Sequence, residues 1–105
     1  MLLKGKFQSD GWVYQFLIYG TIKVDTDVDY TKDGSYKIDV TMYFEGNYNY
    51  GQHKTLTYDC VIKNGKMTCI NRSETNVITI EIDVNTKTGT YESQNPSDTG
   101  VLTFE

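Results

Sequence analysis

Apolar and polar side chains alternate with a period of two along much of this chain, and that pattern limits its possible folds more than any other feature. Between Trp12 and Tyr30 the even positions are mostly apolar or aromatic, and the parity continues through Gly20 without a slip. A period of two is typical of a strand with one buried face. We therefore predict one long strand bent at Gly20, or two strands meeting there, with even side chains turned inward.

The same alternation recurs downstream, with the even positions from Tyr36 to Phe44 again apolar. Asn64-Gly65 is the strongest short turn signal and predicts a tight hairpin. Further strands are predicted over 3–7, 56–63, 66–72, 78–84, 90–94 and 101–105, with loops at 46–53 and 95–100. The prediction is a single all-β domain (1–105), a small antiparallel meander of about eight strands forming a barrel, a flattened barrel or a sandwich. Its outline is similar to lipocalin-like (calycin) meanders, although no motif of that family is matched residue by residue.

Composition narrows the classes of function. The chain has no Ala and nine Tyr, which disfavours helices, and its net charge of −4 gives no basic surface for nucleic acid. No apolar run is long enough for a membrane helix. No nucleophile elbow, zinc motif or phosphate-binding glycine loop is present, so we expect no catalytic residue, no metal and no cofactor. The expected class is a non-catalytic binding domain.

The two cysteines fall on the predicted hairpin. Counting outward from Asn64-Gly65 sets Cys60 directly opposite Cys69, in a non-hydrogen-bonded pair whose spacing suits a disulfide. They form a cross-strand disulfide or a reduced pair facing the core. The start of the chain does not resemble a signal peptide, which predicts a cytoplasmic protein if Met1 is the native start. An oxidised pair instead predicts a secreted or periplasmic protein.

An acidic stripe is predicted on the outer face. Asp25, Asp27 and Asp29 are two residues apart and project from one side of a strand. Pairing with the next strand sets Asp27 opposite Asp39, so that like charges face each other. This stripe is either a solvated face or a contact for a basic protein partner.

Apolar residues also occur on the side predicted to face outward. Val13, Leu17 and Tyr19 occupy odd positions while the even positions are already apolar. A strand that is apolar on both faces is covered on both, either by another strand of this chain or by a partner. We predict that Leu17→Asp leaves a folded protein that has lost its oligomer or partner.

The loop around Tyr48 and Tyr50 combines Tyr, Asn and Gly, a composition used in recognition loops. Together these features predict binding of a protein partner, with a homodimer as one form. The small size and negative charge are those of an inhibitor or accessory protein of the kind encoded by phages or mobile elements, by analogy only. The alternative is a lipocalin-like carrier of a small apolar ligand, with a barrel mouth lined by Trp12, Tyr14, Phe16 and Tyr58.

Overall fold

The chain folds into one closed antiparallel barrel of eight strands, each paired with its neighbours in sequence and β1 paired with β8. The computed structural model describes residues 2–13, 16–25, 28–45, 51–95 and 97–105, except for the side chains of Val13 and Phe16. The strands are β1 Leu2–Val13, β2 Phe16–Asp25, β3 Gly34–Phe44, β4 His53–Lys63, β5 Lys66–Arg72, β6 Val77–Asp83, β7 Thr88–Gln94 and β8 Ser97–Phe104. The predicted all-β meander is thus confirmed, and it closes into a barrel.

Inward alternation holds over most of the predicted region. Along β2 the side chains of Ile22 and Val24 are buried, and along β3 those of Ile38 and Val40 are buried. Strand β2 continues through Gly20, which pairs with Phe7 of β1. An added Cβ at Gly20 would collide with the Tyr43 carbonyl oxygen and lie 3.0 Å from the Phe7 ring, so the close packing at this point requires glycine.

The prediction was wrong at Trp12, whose side chain is 75% exposed. Trp12 belongs to β1, not β2, and it pairs with Leu17 of β2. The register of the β1–β2 pair shifts between Gln8 and Trp12, because the buried Ser9 hydroxyl donates to the Gly11 carbonyl and accepts from the Ile18 amide. The shift is of two residues and leaves the parity of β1 unchanged: its odd side chains Leu3, Phe7 and Ser9 are buried, so the even-numbered Trp12 faces outward.

The β4–β5 hairpin matches its prediction pair by pair. Asn64 and Gly65 both have positive φ angles, 53° and 76°, as a two-residue hairpin turn requires. Cys60 lies directly opposite Cys69 with a Cα–Cα separation of 4.0 Å, and their sulfur atoms are at disulfide-bonding distance. Both side chains are buried in the barrel interior.

Several predicted boundaries were wrong: β2 ends at Asp25 instead of Tyr30, and β4 begins at His53 instead of Leu56. Strand β1 is longer than the predicted 3–7, and the predicted loop at 95–100 is mostly strand, since β8 begins at Ser97. Residues 97–100 are of turn-forming types, but they pair with β7, where Gly100 faces the large ring of Tyr91. Tertiary pairing overrides the local turn preference here.

The two ends of the barrel differ. At one end Tyr30, in the turn after β2, is only 1% exposed and packs with the core, so this closed end is filled by side chains. At the other end β1, β3, β5 and β7 finish and β2, β4, β6 and β8 begin. We call this the open end, because the barrel interior reaches solvent there. Within the described ranges, no helix is both long and apolar enough to cross a membrane.

Candidate cavity at the open end

A cavity of about 370 Å³ occupies the open half of the barrel. Small-ligand sites in proteins typically measure about 300–1,000 Å³ and have apolar walls with a few polar groups. The walls are formed by side chains of seven strands, all but β5. The apolar ones are Phe7, Ile18, Val40, Met42, Phe44, Leu56 and Ile78.

Aromatic rings form one side of this cavity. The Phe7 ring meets the rings of Phe44 and Tyr91 edge to face, with centroids 5.5 and 6.2 Å away. Two glycines create the space for them, since Phe7 lies opposite Gly20 and Tyr91 lies opposite Gly100. Edge-to-face packing is a favourable arrangement of aromatic rings and fixes the positions of these three.

Tyr58 brings to the cavity a hydroxyl that has no hydrogen-bond partner among the described residues. Its side chain is 1% exposed and lines the cavity, and burial raises its pKa to about 12. Within the described part of the chain, no side-chain oxygen or nitrogen sealed from solvent lacks a hydrogen bond. The Tyr58 hydroxyl makes none with the described residues, so it must reach the open space of the cavity. It is therefore free to bond to a ligand or to water.

A second hydroxyl is held by a carboxylate. The Tyr91 hydroxyl donates to Oδ2 of Asp98 at 3.0 Å, and both residues line the cavity. Burial raises the pKa of the Asp98 carboxyl, and the hydrogen bonds from Tyr91 and the Thr99 amide lower it in part. The nearby carboxylate of Asp10, which accepts a 2.9 Å hydrogen bond from the Thr99 hydroxyl, also raises the pKa of Asp98. Asp98 is thus a half-buried acid beside a second acid.

Asn76 fixes one part of the rim. Its side-chain oxygen accepts from the amides of Val77, Gln94 and Asn95 at 2.8, 3.1 and 2.8 Å. Its amide nitrogen donates to the Ser93 hydroxyl at 2.9 Å. One side chain therefore ties the segment before β6 to the β7–β8 turn, and the polar rim has a defined shape at this point.

The opposite part of the rim carries basic groups. Lys54 and His53, at the start of β4, line the mouth and are exposed. Neither forms an ion pair with an acid among the described residues, and these residues contain no group of three or more His, Cys, Asp or Glu that could hold a metal ion.

The four residues predicted to line a barrel mouth have different outcomes. Tyr58 lines the cavity, as described above. Trp12 does not, because it projects into solvent on the outer face. Tyr14 and the side chain of Phe16 lie outside the described residues. Asp98 was missed at the sequence level because this residue was assigned to a loop. Tyr91 was missed because the pairing of β7 with residues 97–100 was not predicted.

The predicted apolar contact residues lie together on the outside of β1 and β2. Leu17, half-buried, pairs with Trp12, and Tyr19 is 43% exposed. On the neighbouring strand Tyr43 is 44% exposed, and its ring lies 5.7 Å from that of His53. We call Trp12, Leu17, Tyr19 and Tyr43 the aromatic patch. The structure does not describe the side chain of Val13, and the predicted contact residues Tyr48 and Tyr50 lie outside the described residues.

Two aspartates do face each other across β2 and β3, as predicted, but the residue opposite Asp39 was predicted wrongly. Asp39 lies opposite Asp25, not Asp27, because the β2–β3 register differs by two residues from the predicted one. Both side chains are exposed, with Lys23 Nζ 3.7 Å from Asp25 and the Thr57 hydroxyl donating to Asp39 at 2.6 Å. These contacts and water relieve the opposed charges. Asp27 falls outside the described residues.

No protein-family model, curated protein or solved structure matches this chain. The class of the protein is therefore set by its fold and its cavity alone: an eight-stranded antiparallel barrel with one packed end and one open end.

Proposed function

We propose that this protein binds a small, mostly apolar molecule in the open end of its barrel, as a carrier or scavenger. The observation that carries the proposal is the cavity of about 370 Å³, with apolar walls below a polar rim. At the roughly 30 Å³ that one water takes in the liquid, this volume corresponds to about a dozen non-hydrogen atoms. The ligand would be about the size of a bicyclic aromatic compound.

Two further features support this proposal. The Tyr58 hydroxyl has no described protein partner and faces the space a ligand would take. A site built to bond a ligand leaves such a group unpaired in the free protein. The closed end is filled by Tyr30 and by Cys60 and Cys69, whose sulfur atoms are at disulfide-bonding distance. These packed side chains form the bottom of the cavity.

The proposal is tested by calorimetric titration with the neutral probe 2-(1-naphthyl)ethanol. We expect a dissociation constant of about 1–100 µM and a negative heat-capacity change, because apolar surface is buried on binding. Leu56→Trp places an indole in the cavity and should abolish binding. The matched control is Val61→Trp on the same strand, whose side chain is 54% exposed on the outer face. Equal binding by both variants, each shown to be folded by circular dichroism, would contradict the proposal.

A second candidate function is protein association through the aromatic patch, with a second copy of the chain as the simplest partner. The observation that favours it is the 75% exposed Trp12, which lies beside the half-buried Leu17 at the tip of the β1–β2 hairpin. Exposed aromatic side chains grouped on one face mark interaction surfaces. Sedimentation velocity should show a dimer that Leu17→Asp dissociates without unfolding. A wild-type monomer at millimolar concentration would contradict this association.

A further inference from the structure

Asp98 is an acidic side chain of the cavity wall that forms no ion pair with any described residue. The ion pairs among the described residues are Lys23–Asp25 and Lys37–Asp59, both on exposed side chains away from the cavity. Asp98 is half-buried, and its hydrogen bonds come from the neutral Tyr91 hydroxyl and the Thr99 amide. A carboxylate withdrawn from water without a counter-charge is destabilising, and a ligand cation would relieve it.

The surroundings of this carboxylate suit a cation with an apolar body. Tyr91 joins Asp98 to the aromatic side of the cavity, where Phe7 packs against Phe44 and Tyr91. Aromatic faces attract cations, and more strongly where water is excluded. Asp10 is exposed and lies outside the cavity, but it is near enough to add a small negative potential at Asp98.

Lys54 is the competing charge, since it lines the same cavity from β4. It is exposed at the mouth, whereas Asp98 is half-buried. Charges act more strongly where they are less hydrated, and exposed charges are screened by salt. The cavity therefore favours a cation at Asp98 over an anion at Lys54, in agreement with the chain's net charge of −4.

From this geometry we propose that the ligand is an amphipathic amine. Its ammonium group would bind the Asp98 carboxylate, and its apolar body would lie against Phe7 and Phe44. This inference rests on the proposed small-ligand function and adds the chemical class of the ligand.

The test uses three probes of similar shape and different charge: the cation 2-(1-naphthyl)ethylammonium (the amine), the neutral 2-(1-naphthyl)ethanol (the alcohol) and the anion of 1-naphthaleneacetic acid (the acetate). We expect the amine to bind about ten- to a hundredfold more tightly than the alcohol, because it adds a charge-assisted hydrogen bond, and the acetate to bind most weakly. Equal binding of amine and alcohol, or tightest binding of the acetate, would overturn the amine inference while leaving small-ligand binding intact. Failure of all three to bind would contradict the proposed function itself.

Variants assign the preference to one residue. Asp98→Asn keeps an acceptor for the Tyr91 hydroxyl, so the amine should lose its advantage to within about threefold of the alcohol, with alcohol binding unchanged. The control Asp39→Asn removes the same charge from the outer face and should leave the preference intact. An amine preference that persists in Asp98→Asn would overturn the assignment. The comparison of the three probes on the wild-type protein decides the ligand class even if a variant does not fold.

Discussion

Tyr58 and Tyr91 both line the cavity, and their hydroxyls differ in hydrogen bonding. The Tyr91 hydroxyl donates to the Asp98 carboxylate at 3.0 Å, whereas the Tyr58 hydroxyl makes no hydrogen bond with the described residues. A hydrogen bond to a charged group contributes about 1.5–3 kcal/mol, and the half-burial of Asp98 places this one near the lower end. Tyr91→Phe should therefore lower the free energy of unfolding by about 1–2 kcal/mol. Tyr58→Phe should change it by less than about 0.5 kcal/mol or raise it slightly, because no partner is lost.

Urea unfolding at pH 7 measures both effects as shifts of the midpoint at constant slope. In the Asp98→Asn background the cost of Tyr91→Phe should fall, because a bond to a neutral amide oxygen is weaker than a bond to a carboxylate. A Tyr58→Phe variant that loses as much stability as Tyr91→Phe would refute the assignment of an unpartnered hydroxyl at Tyr58.

Three other predictions test the core. Burial raises the pKa of Tyr30 and Tyr58 to about 12, so the folded state favours neutral phenols, and stability present below pH 10 should fall as the pH rises to 12. Tyr58 accounts for about 2 kcal/mol of this loss, so Tyr58→Phe should reduce the alkaline destabilisation. Tyrosinate absorbance follows the transition, and an identical dependence on pH in wild type and variant would contradict the prediction. Protein equilibrated with oxidised glutathione should lack reactive thiols. Reducing the Cys60–Cys69 bond, which joins cysteines nine residues apart, should lower the free energy of unfolding by about 2–3 kcal/mol. Full alkylation of the native protein would disprove the disulfide. Gly100→Ala should destabilise by about 1–3 kcal/mol because its methyl meets the Tyr91 ring, whereas Gly11→Ala, with open space around it, should not; equal melting temperatures would contradict this packing.

The fold was largely predictable because the period-two pattern and the turn residues agree. Asn64-Gly65 set the hairpin register, and that register placed Cys60 opposite Cys69 as expected. Inward alternation along β2 and β3 likewise followed from the sequence pattern. Local signals of this kind depend on neighbouring residues and are visible in the chain itself.

Apart from Tyr58, the lining of the cavity was not predicted, because it depends on contacts between distant strands. Trp12 faces outward because it belongs to β1, whose odd side chains are buried, whereas β2 buries its even ones, and this opposite parity is set by how the two strands pair. Asp98 joins the wall only because β8 pairs with β7 through residues that favour turns. The pairing of Tyr91 with Gly100 was a signal that could have placed Tyr91 in the barrel interior, since a large ring that faces a glycine across a hairpin has room to lie there.

The central claim is that the open half of this barrel holds a small molecule while the closed half remains packed. Methyl-resolved NMR titration with 2-(1-naphthyl)ethanol tests it most directly. We expect chemical-shift changes confined to cavity methyls such as those of Ile18, Met42, Leu56 and Ile78, with Met67 and Ile82 of the packed interior unchanged. Shifts at Leu17 and Val101 on the outer face instead, or none at saturating probe, would contradict it.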